Sequence, residues 1–263
     1  MRDVWVAADD IDIYDAGWTF DHFYPIGGAD RTGPCFEGWT MLAVLAGFTR
    51  RIRLGVMVTG NPYRHPAVLA NMVATLDVAT GGRVEIGLGA GWNQVEADAY
   101  GIELAALTDR FDRLDEACEV IDGLLTKPAT TFAGRYYELN DAHCEPKPLQ
   151  RPRPPLVIGG GGERRTLRIA AKWADQWNLA GGSVEVFRHK LSVLHDHCVA
   201  VGRDPAAIEN SVQVPAAGPA ETAEAAAAYV QAGAQHVVIV WRAPFDAHHV
   251  EPMAQALRGL APR

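Results

Sequence analysis

Lysine is scarce in this chain. Of its 24 Lys and Arg residues only four are Lys (Lys127, Lys147, Lys172 and Lys190). Schiff-base catalysis needs a lysine placed to attack a carbonyl, and none of the four reads as standing at a strand end. The skew toward Arg reflects GC-rich coding rather than chemistry. Cysteine is thin as well: Cys35, Cys118, Cys144 and Cys198 lie far apart and form no CxxC pair. That excludes a disulfide framework and a zinc knuckle and fits a reducing compartment. No run of about 18 apolar residues occurs, and the opening MRDVWVAADD has no apolar signal segment, so the expected setting is the cytoplasm, with no membrane partner. Excess positive charge is also missing. Against 32 Asp and Glu the formal net charge is −8, which argues against nucleic acid as a partner.

What is present points to a folded α/β protein. The 263 residues are 48% hydrophobic and 21% charged, too apolar for a disordered chain. Val4, Ala8 and Ile11 form a helical stripe, so the chain opens in a helix. Strands are then expected at 16–23, 52–60, 83–92, 155–162, 176–181, 210–216 and 235–242. Helices are expected at 39–49, 66–79, 94–125, 163–174, 184–201, 220–232 and 249–260. Residues 126–154 read as irregular, a length that in a compact domain usually serves as a lid or substrate loop. No composition break marks a linker, so 1–263 is expected to form one domain around a parallel sheet. An eightfold barrel of the TIM (β/α)8 type needs one strand more than this reading supplies, and the shortage is at the front, where a helix has no strand before it.

In such a barrel the functional groups stand at the C-terminal ends of the strands. Four places qualify. Asp21-His22 follow the first strand; a histidine there can position a carbonyl or carry a proton near neutral pH, or Asp21 caps a turn and His22 satisfies a loop carbonyl. Thr59-Gly60-Asn61-Pro62 follow the second, where glycine permits close backbone approach or simply makes a turn. Gly87, Gly89 and Gly91 alternate, leaving one strand face without side chains, either for a flat ring to lie on or for tight interior packing. Gly159 to Gly162 open a helix through Glu163, Arg164, Arg165 and Thr166. Their backbone N–H groups make an anion site to which the arginines and the Thr166 hydroxyl add donors; the alternative is a flexible turn. The tract lacks a GK[ST] ending and is no nucleotide-hydrolysing P-loop. No set of side chains has metal-ligand spacing.

The segments WTFDHFYPI (18–26), LGVMVTGNPYRHPAVLANMVATLDVATGGRVEIGLGAGWN (54–93), RFDRLDEACEVI (110–121) and PPLVIGGGGERRTLRIAAKWADQWN (154–178) together resemble the bacterial luciferase-like monooxygenase family, especially its deazaflavin-dependent branch. The resemblance implies a TIM (β/α)8-type oxidoreductase that binds coenzyme F-420 (8-hydroxy-5-deazaflavin) or, as the alternative, reduced FMN. It places Asp21 and His22 facing the cofactor ring as the catalytic candidates. Thr59, Gly60 and Asn61 match the strand-three segment, where a non-proline cis peptide often backs the ring. Gly89, Ala90, Gly91 and Asn93 match the strand-four wall, and Gly159, Gly160, Gly161, Gly162, Arg165 and Thr166 the phosphate cradle. Two departures stand out. Trp92 occupies a position where some deazaflavin enzymes carry an acid, which leaves His22 as the first proton-transfer candidate and Glu96 as the second. The family's first strand and loop are also lacking, which a misplaced start or a truncation explains equally well.

Three functions compete on this reading. The first is hydride transfer or monooxygenation of a small organic substrate, in a homodimer as the family implies. The second is a phosphate-binding lyase or isomerase. The third is a truncated, non-catalytic relative with open strand edges at 16–23 and 235–242. The 27–38 loop and the 126–154 segment, with Tyr136, Tyr137 and His143, are expected to set the substrate.

Overall fold

The computed structural model describes residues 1–27 and 30–260. In chain order it contains α1 (Arg2–Asp9), β1 (Ala16–Thr19), α2 (Gly38–Ala46), β2 (Arg53–Val56), β3 (Thr59–Gly60), α3 (Pro66–Thr80) and β4 (Val84–Gly89). There follow α4 (Gln94–Tyr100), α5 (Leu107–Thr126), β5 (Thr130–Ala133), β6 (Glu138–Ala142), β7 (Leu156–Gly159) and α6 (Thr166–Trp173). The last third holds β8 (Gln176–Leu179), α7 (Val184–Ala200), β9 (Glu209–Pro215), α8 (Pro219–Gln231), β10 (His236–Val240) and α9 (Val250–Leu257). The chain forms two compact units: a mid-sequence unit of Trp18–Ala46 and Leu54–Leu156, and a terminal unit of Met1–Gly17, Gly47–Arg53 and Val157–Arg263.

In the mid-sequence unit β2 and β3 both pair in parallel with β4, Leu54 opposite Val84 and Thr59 opposite Leu88. All six residues of β4 are buried, Glu85 included, which is why the strand shows no exposed face in alternation. Helix α3 starts at Pro66, whose fixed φ suits a first helical turn, and stops at Gly81, which takes a φ of 75°. It packs on α5, whose stripe of Leu114, Cys118, Ile121 and Leu125 is buried.

In the terminal unit β7, β8, β9 and β10 lie side by side in parallel. Helix α6 packs on α7, and α8 packs on α9, which also receives α1. Trp177 of β8 stacks on Phe187 of α7 with ring centroids 5.7 Å apart, both fully buried. The Asp9 carboxylate at the end of α1 accepts from the backbone amides of Arg50, Arg51 and Ile52 and so anchors the entry to β2. As expected of an edge, β10 has β9 as its one strand partner among the described residues. Its Val237 and Ile239 rest on Ala226, Met253 and Leu257 together with Ile13 and Tyr14.

Three expected elements differ. The 52–60 strand breaks into β2 and β3 at Met57–Val58, where the peptide bond is cis, immediately ahead of Thr59-Gly60. The 94–125 helix is two helices, because Gly101 ends α4 in the left-handed region with a φ of 65°. The 126–154 segment is not irregular throughout: β5 and β6 form an antiparallel hairpin whose turn is closed by a bond from the Gly134 amide to the Tyr137 carbonyl. The flanking prolines had masked its short alternating pattern.

Candidate functional site

Just past β1 the His22 ring stands 2.8 Å, through Nδ1, from the Glu96 carboxylate at the start of α4. Glu96 is fully buried and gathers four donors: His22 Nδ1, the Tyr63 hydroxyl at 2.8 Å, and the amides of Phe23 and Tyr24. Burial pushes this carboxyl up, but the bonds from His22, Phe23 and Tyr63 and the proximity of the imidazole outweigh it and hold the group below the usual carboxylate range. An ionised carboxylate can only accept, so Nδ1 carries the hydrogen and the lone pair of a neutral His22 is on Nε2. Nε2 makes no hydrogen bond among the described residues. Tyr63 is held protonated, its phenol pushed up by burial and by the Glu96 charge.

Asp21 is placed differently. It is buried, takes a two-pronged ion pair from Arg64 at 2.6 and 3.0 Å, and accepts the Gly60 amide at 3.0 Å. Arg64 also reaches Glu37 at 3.1 Å. The Thr59 hydroxyl accepts from the Trp39 indole at 3.0 Å, and Asn61 donates to the Tyr137 hydroxyl at 3.1 Å, bringing the hairpin turn to this end of β3. Gly60 has a steric reason: a Cβ there would lie 2.6 Å from the Tyr63 ring, so only glycine lets that ring lie close enough for its hydroxyl to reach Glu96.

The alternating glycines do not leave a bare face. Side chains at Gly87 and Gly89 would run into the Val56 carbonyl and the Val58 side chain, the latter 2.7 Å from a Cβ on Gly89. The room they provide is filled by the kinked β2–β3 connection, which corrects the expectation of exposed backbone. Ala90 is half-buried, Gly91 adopts a φ of 79°, and Asn93 caps α4 through the Glu96 amide. Trp92 is 65% exposed and meets the His22 ring edge-on at 5.4 Å. Beside it a cavity of about 210 Å³ is bounded by Tyr24, Ile26, Arg31, Trp92, Asn93 and Val95. Of the expected 27–38 loop, Gly28 and Ala29 lie outside the described residues.

The glycine tract belongs to the terminal unit. The Gly160 amide donates to the Asn178 carbonyl at 2.9 Å, and the Gly160 carbonyl accepts from the Trp177 indole at 2.8 Å. Below it a polar ladder runs from Gln213 through Asn178 to Ser211. With Gly160 so fixed at a φ of 122°, the amides of Gly161 and Gly162 donate to nothing among the described residues. Thr166 is 4% exposed, and its hydroxyl, which has no partner among the described residues, sits 2.8 Å from where a Gly162 Cβ would be. No side chain caps α6. Free amides, an uncapped helix start and an unbonded hydroxyl on a largely buried threonine together suit an anion. Arg165 is half-buried at the helix start with a partner of its own, while Arg164 is exposed.

The structure therefore brings Asp21, His22, Thr59, Gly60 and Asn61 together with Asn93 in one network, and Gly159–Gly162 together with Thr166 in another. Sequence reasoning had ranked Glu96 second and missed Tyr63 and Arg64. The Asn93-x-x-Glu96 spacing is a helix-start signature that places Glu96 in the first turn, but nothing local reveals that it turns back to His22.

A model of the luciferase-like monooxygenases matches residues 5–261. An FMNH(2)-dependent dimethylsulfone monooxygenase of Pseudomonas putida is 30% identical over 66% of this chain and 47% of its own length. An F420-dependent glucose-6-phosphate dehydrogenase of Amycolatopsis mediterranei is 31% identical over 71% of this chain and 55% of its own. The chain thus spans about half the length of the curated relatives it matches. Among solved structures, an F420-dependent secondary alcohol dehydrogenase in complex with an F420-acetone adduct superposes with a TM-score of 0.88 at 18% identity, covering 99% of this chain and 94% of that one. The fold is that of the luciferase-like TIM-type barrels, as the sequence led us to expect.

Proposed function

Because this chain belongs to the luciferase-like monooxygenase family, we propose that it is an oxidoreductase acting on a small organic substrate with coenzyme F-420, residues 1–263 serving as one barrel domain. The observation that carries this reading is the His22–Glu96 pair. A buried carboxylate fixes the imidazole by Nδ1 and leaves Nε2 to take or return a proton. The deazaflavin, when bound, supplies a two-electron hydride acceptor or donor. For an alcohol substrate His22 Nε2 then receives the hydroxyl proton; for a carbonyl substrate the protonated imidazole returns it. Glu96 steadies the imidazolium that forms, and Trp92 and Phe20 shield the ring. Asp21 positions: through Arg64 and the Gly60 amide it fixes the β3 end that carries Asn61 and Tyr63. Gly159–Gly162 with Thr166 and Arg165 hold the cofactor phosphate, for which the unbonded Thr166 hydroxyl is the fitting donor.

The match to an FMNH(2)-dependent monooxygenase supports a second reading, in which reduced FMN takes the same residues and molecular oxygen is the co-substrate. Anaerobic titration of the full chain with oxidised F-420 and with FMN, followed by absorbance, separates the two. Tighter binding of F-420, and bleaching of its absorbance on adding alcohols, is expected. Binding of neither cofactor overturns the proposal. We further propose a homodimer in the cytoplasm with no nucleic-acid or membrane partner; among the described residues no helix is long and apolar enough to cross a membrane.

A further inference from the structure

Residue 163 follows the glycine tract and is tied down by one face of α7. Lys190 Nζ meets Glu163 Oε1 at 2.6 Å, His189 Nε2 meets the same oxygen at 3.0 Å, and His197 Nε2 lies 2.7 Å from the Glu163 carbonyl. The ammonium–carboxylate contact, the neighbouring His189 and the Lys190 charge draw the Glu163 carboxyl below its usual range. The Lys190 side chain is only 20% exposed, against 60% for His189, and its stem runs along the tract. A Cβ on Gly161 would lie 3.7 Å from Lys190 Cε. A compact, flexibly mounted cation therefore stands beside backbone amides that donate to nothing among the described residues, with a carboxylate as its counterion.

We infer that Lys190 supplies the charge that binds a phosphate seated on Gly160–Gly162, and that Glu163 competes with the phosphate for that charge. The inference rests on the cradle reading given above and adds to it a residue outside the glycine motif. Opposite charges a few ångströms apart near a surface attract each other, and salt screens that attraction, so the pair need not separate fully for its balance to matter. Removing Lys190 leaves the Glu163 carboxylate, held then by His189 alone, as the charge beside the phosphate. Removing the Glu163 charge leaves the ammonium wholly to the phosphate. Arg164 is exposed and Arg165 already has a partner, so neither offers the same half-buried, stem-packed cation.

The test uses the full chain with two probes, inorganic phosphate followed by amide NMR at Gly160–Gly162, and the paired ligands FMN and riboflavin, which differ only by a phosphate. Lys190→Met is expected to weaken phosphate and FMN about tenfold, the size of one charge-assisted hydrogen bond, while riboflavin binding stays put. Glu163→Gln is expected to tighten both about threefold to tenfold, and the double variant to return near the parent. Lys190→Arg, which keeps the charge, is expected to hold at least half of the FMN preference and guards against a folding defect in the Met variant. An FMN-to-riboflavin ratio unchanged in Lys190→Met, with phosphate still shifting the glycine amides, overturns the Lys190 assignment alone. Absence of any phosphate shift in the parent chain overturns the cradle with it.

Discussion

The two networks solve opposite problems. Around Glu96 in the mid-sequence unit the groups that matter are already spoken for: the carboxylate has four donors, Asp21 has Arg64 and the Gly60 amide, and Thr59 has the Trp39 indole. Among the described residues, His22 Nε2 is the atom of this set left without a hydrogen-bond partner. At the glycine tract of the terminal unit the reverse holds: the scaffold beneath Gly160 is bonded, while the Gly161 and Gly162 amides and the Thr166 hydroxyl are not. On the proposed reading, proton transfer at His22 needs one nitrogen held in one orientation, which a closed surrounding provides. On the same reading, the anion proposed for the glycine tract needs donors whose partner is the ligand, which an open surrounding leaves free. Damage to the first network should therefore cost stability and activity together, whereas damage to the second should cost affinity alone.

Glu96→Gln is the hardest test of that contrast. The amide keeps the shape but can accept at only one oxygen, and it presents N–H hydrogens to groups that are themselves donors. Turnover should fall about 10²- to 10⁴-fold, the range for a compromised acid–base group, and stability by about 3 kcal/mol, as when one member of a buried pair is removed. Urea unfolding beside steady-state rates measures both; a variant that loses activity at parental stability would show that Glu96 is not structural. The sign of the pH effect follows from the same geometry. A carboxyl held below its unfolded value stabilises the fold above that value, 4.5, and the contribution fades as pH falls through the folded one. In Glu96→Gln this acid-side loss should shrink.

Gly60→Ala tests whether the closed network depends on close packing. Its Cβ would sit 2.6 Å from the Tyr63 ring, an overpacking that typically costs about 1–3 kcal/mol. The displaced phenol would release Glu96 Oε2, and tyrosine fluorescence during unfolding would follow both. Parental stability here would mean that Tyr63 swings aside freely and that the network is looser than its distances indicate.

Much of this was legible in the residues, and what was not has a physical cause. The parallel strands showed because most of their buried residues are apolar, and the glycine tract ahead of α6 showed because four successive glycines stand out in any sequence. The hairpin at 130–142 hid among prolines, and the β2–β3 break left no mark in composition, although the family resemblance had led us to expect a non-proline cis peptide in that segment. Glu96 and Tyr63 were obscure for a third reason. Their roles depend on contacts 74 and 33 residues apart in sequence, and a carboxylate in a first helical turn looks the same whether it faces water or a histidine.

Thr166→Val moves to the open side and to a smaller effect. The substitution replaces a hydroxyl that has no partner among the described residues by a methyl of similar volume, so no intramolecular hydrogen bond is lost and stability should hold. FMN should bind about tenfold more weakly while riboflavin is unaffected, as isothermal titration of both ligands would report. A comparable loss for riboflavin would place Thr166 against something other than phosphate.

The smallest effect sharpens the contrast from within the terminal unit, which has a polar cluster of its own at the strand starts. His236 is buried between Asp15 and Glu209, each 3.9 Å away, with Gln176 at 3.4 Å from its Nδ1. Burial lowers the tendency of this ring to protonate more than Asp15 and Glu209 raise it, and Arg53 lowers it further. A histidine depressed in the fold binds its proton more readily when unfolded. Stability is therefore full above about 6.5, the unfolded value, and declines as pH drops toward the folded one. The slope from one such group is at most about 1.4 kcal/mol per pH unit. His236→Gln should flatten the decline of urea-derived stability that sets in below about pH 6.5. Loose distances and a group kept neutral by burial make this cluster acid-sensitive, whereas the tight bonds around Glu96 keep a charge in place; a variant whose pH curve overlays the parent's would remove that distinction.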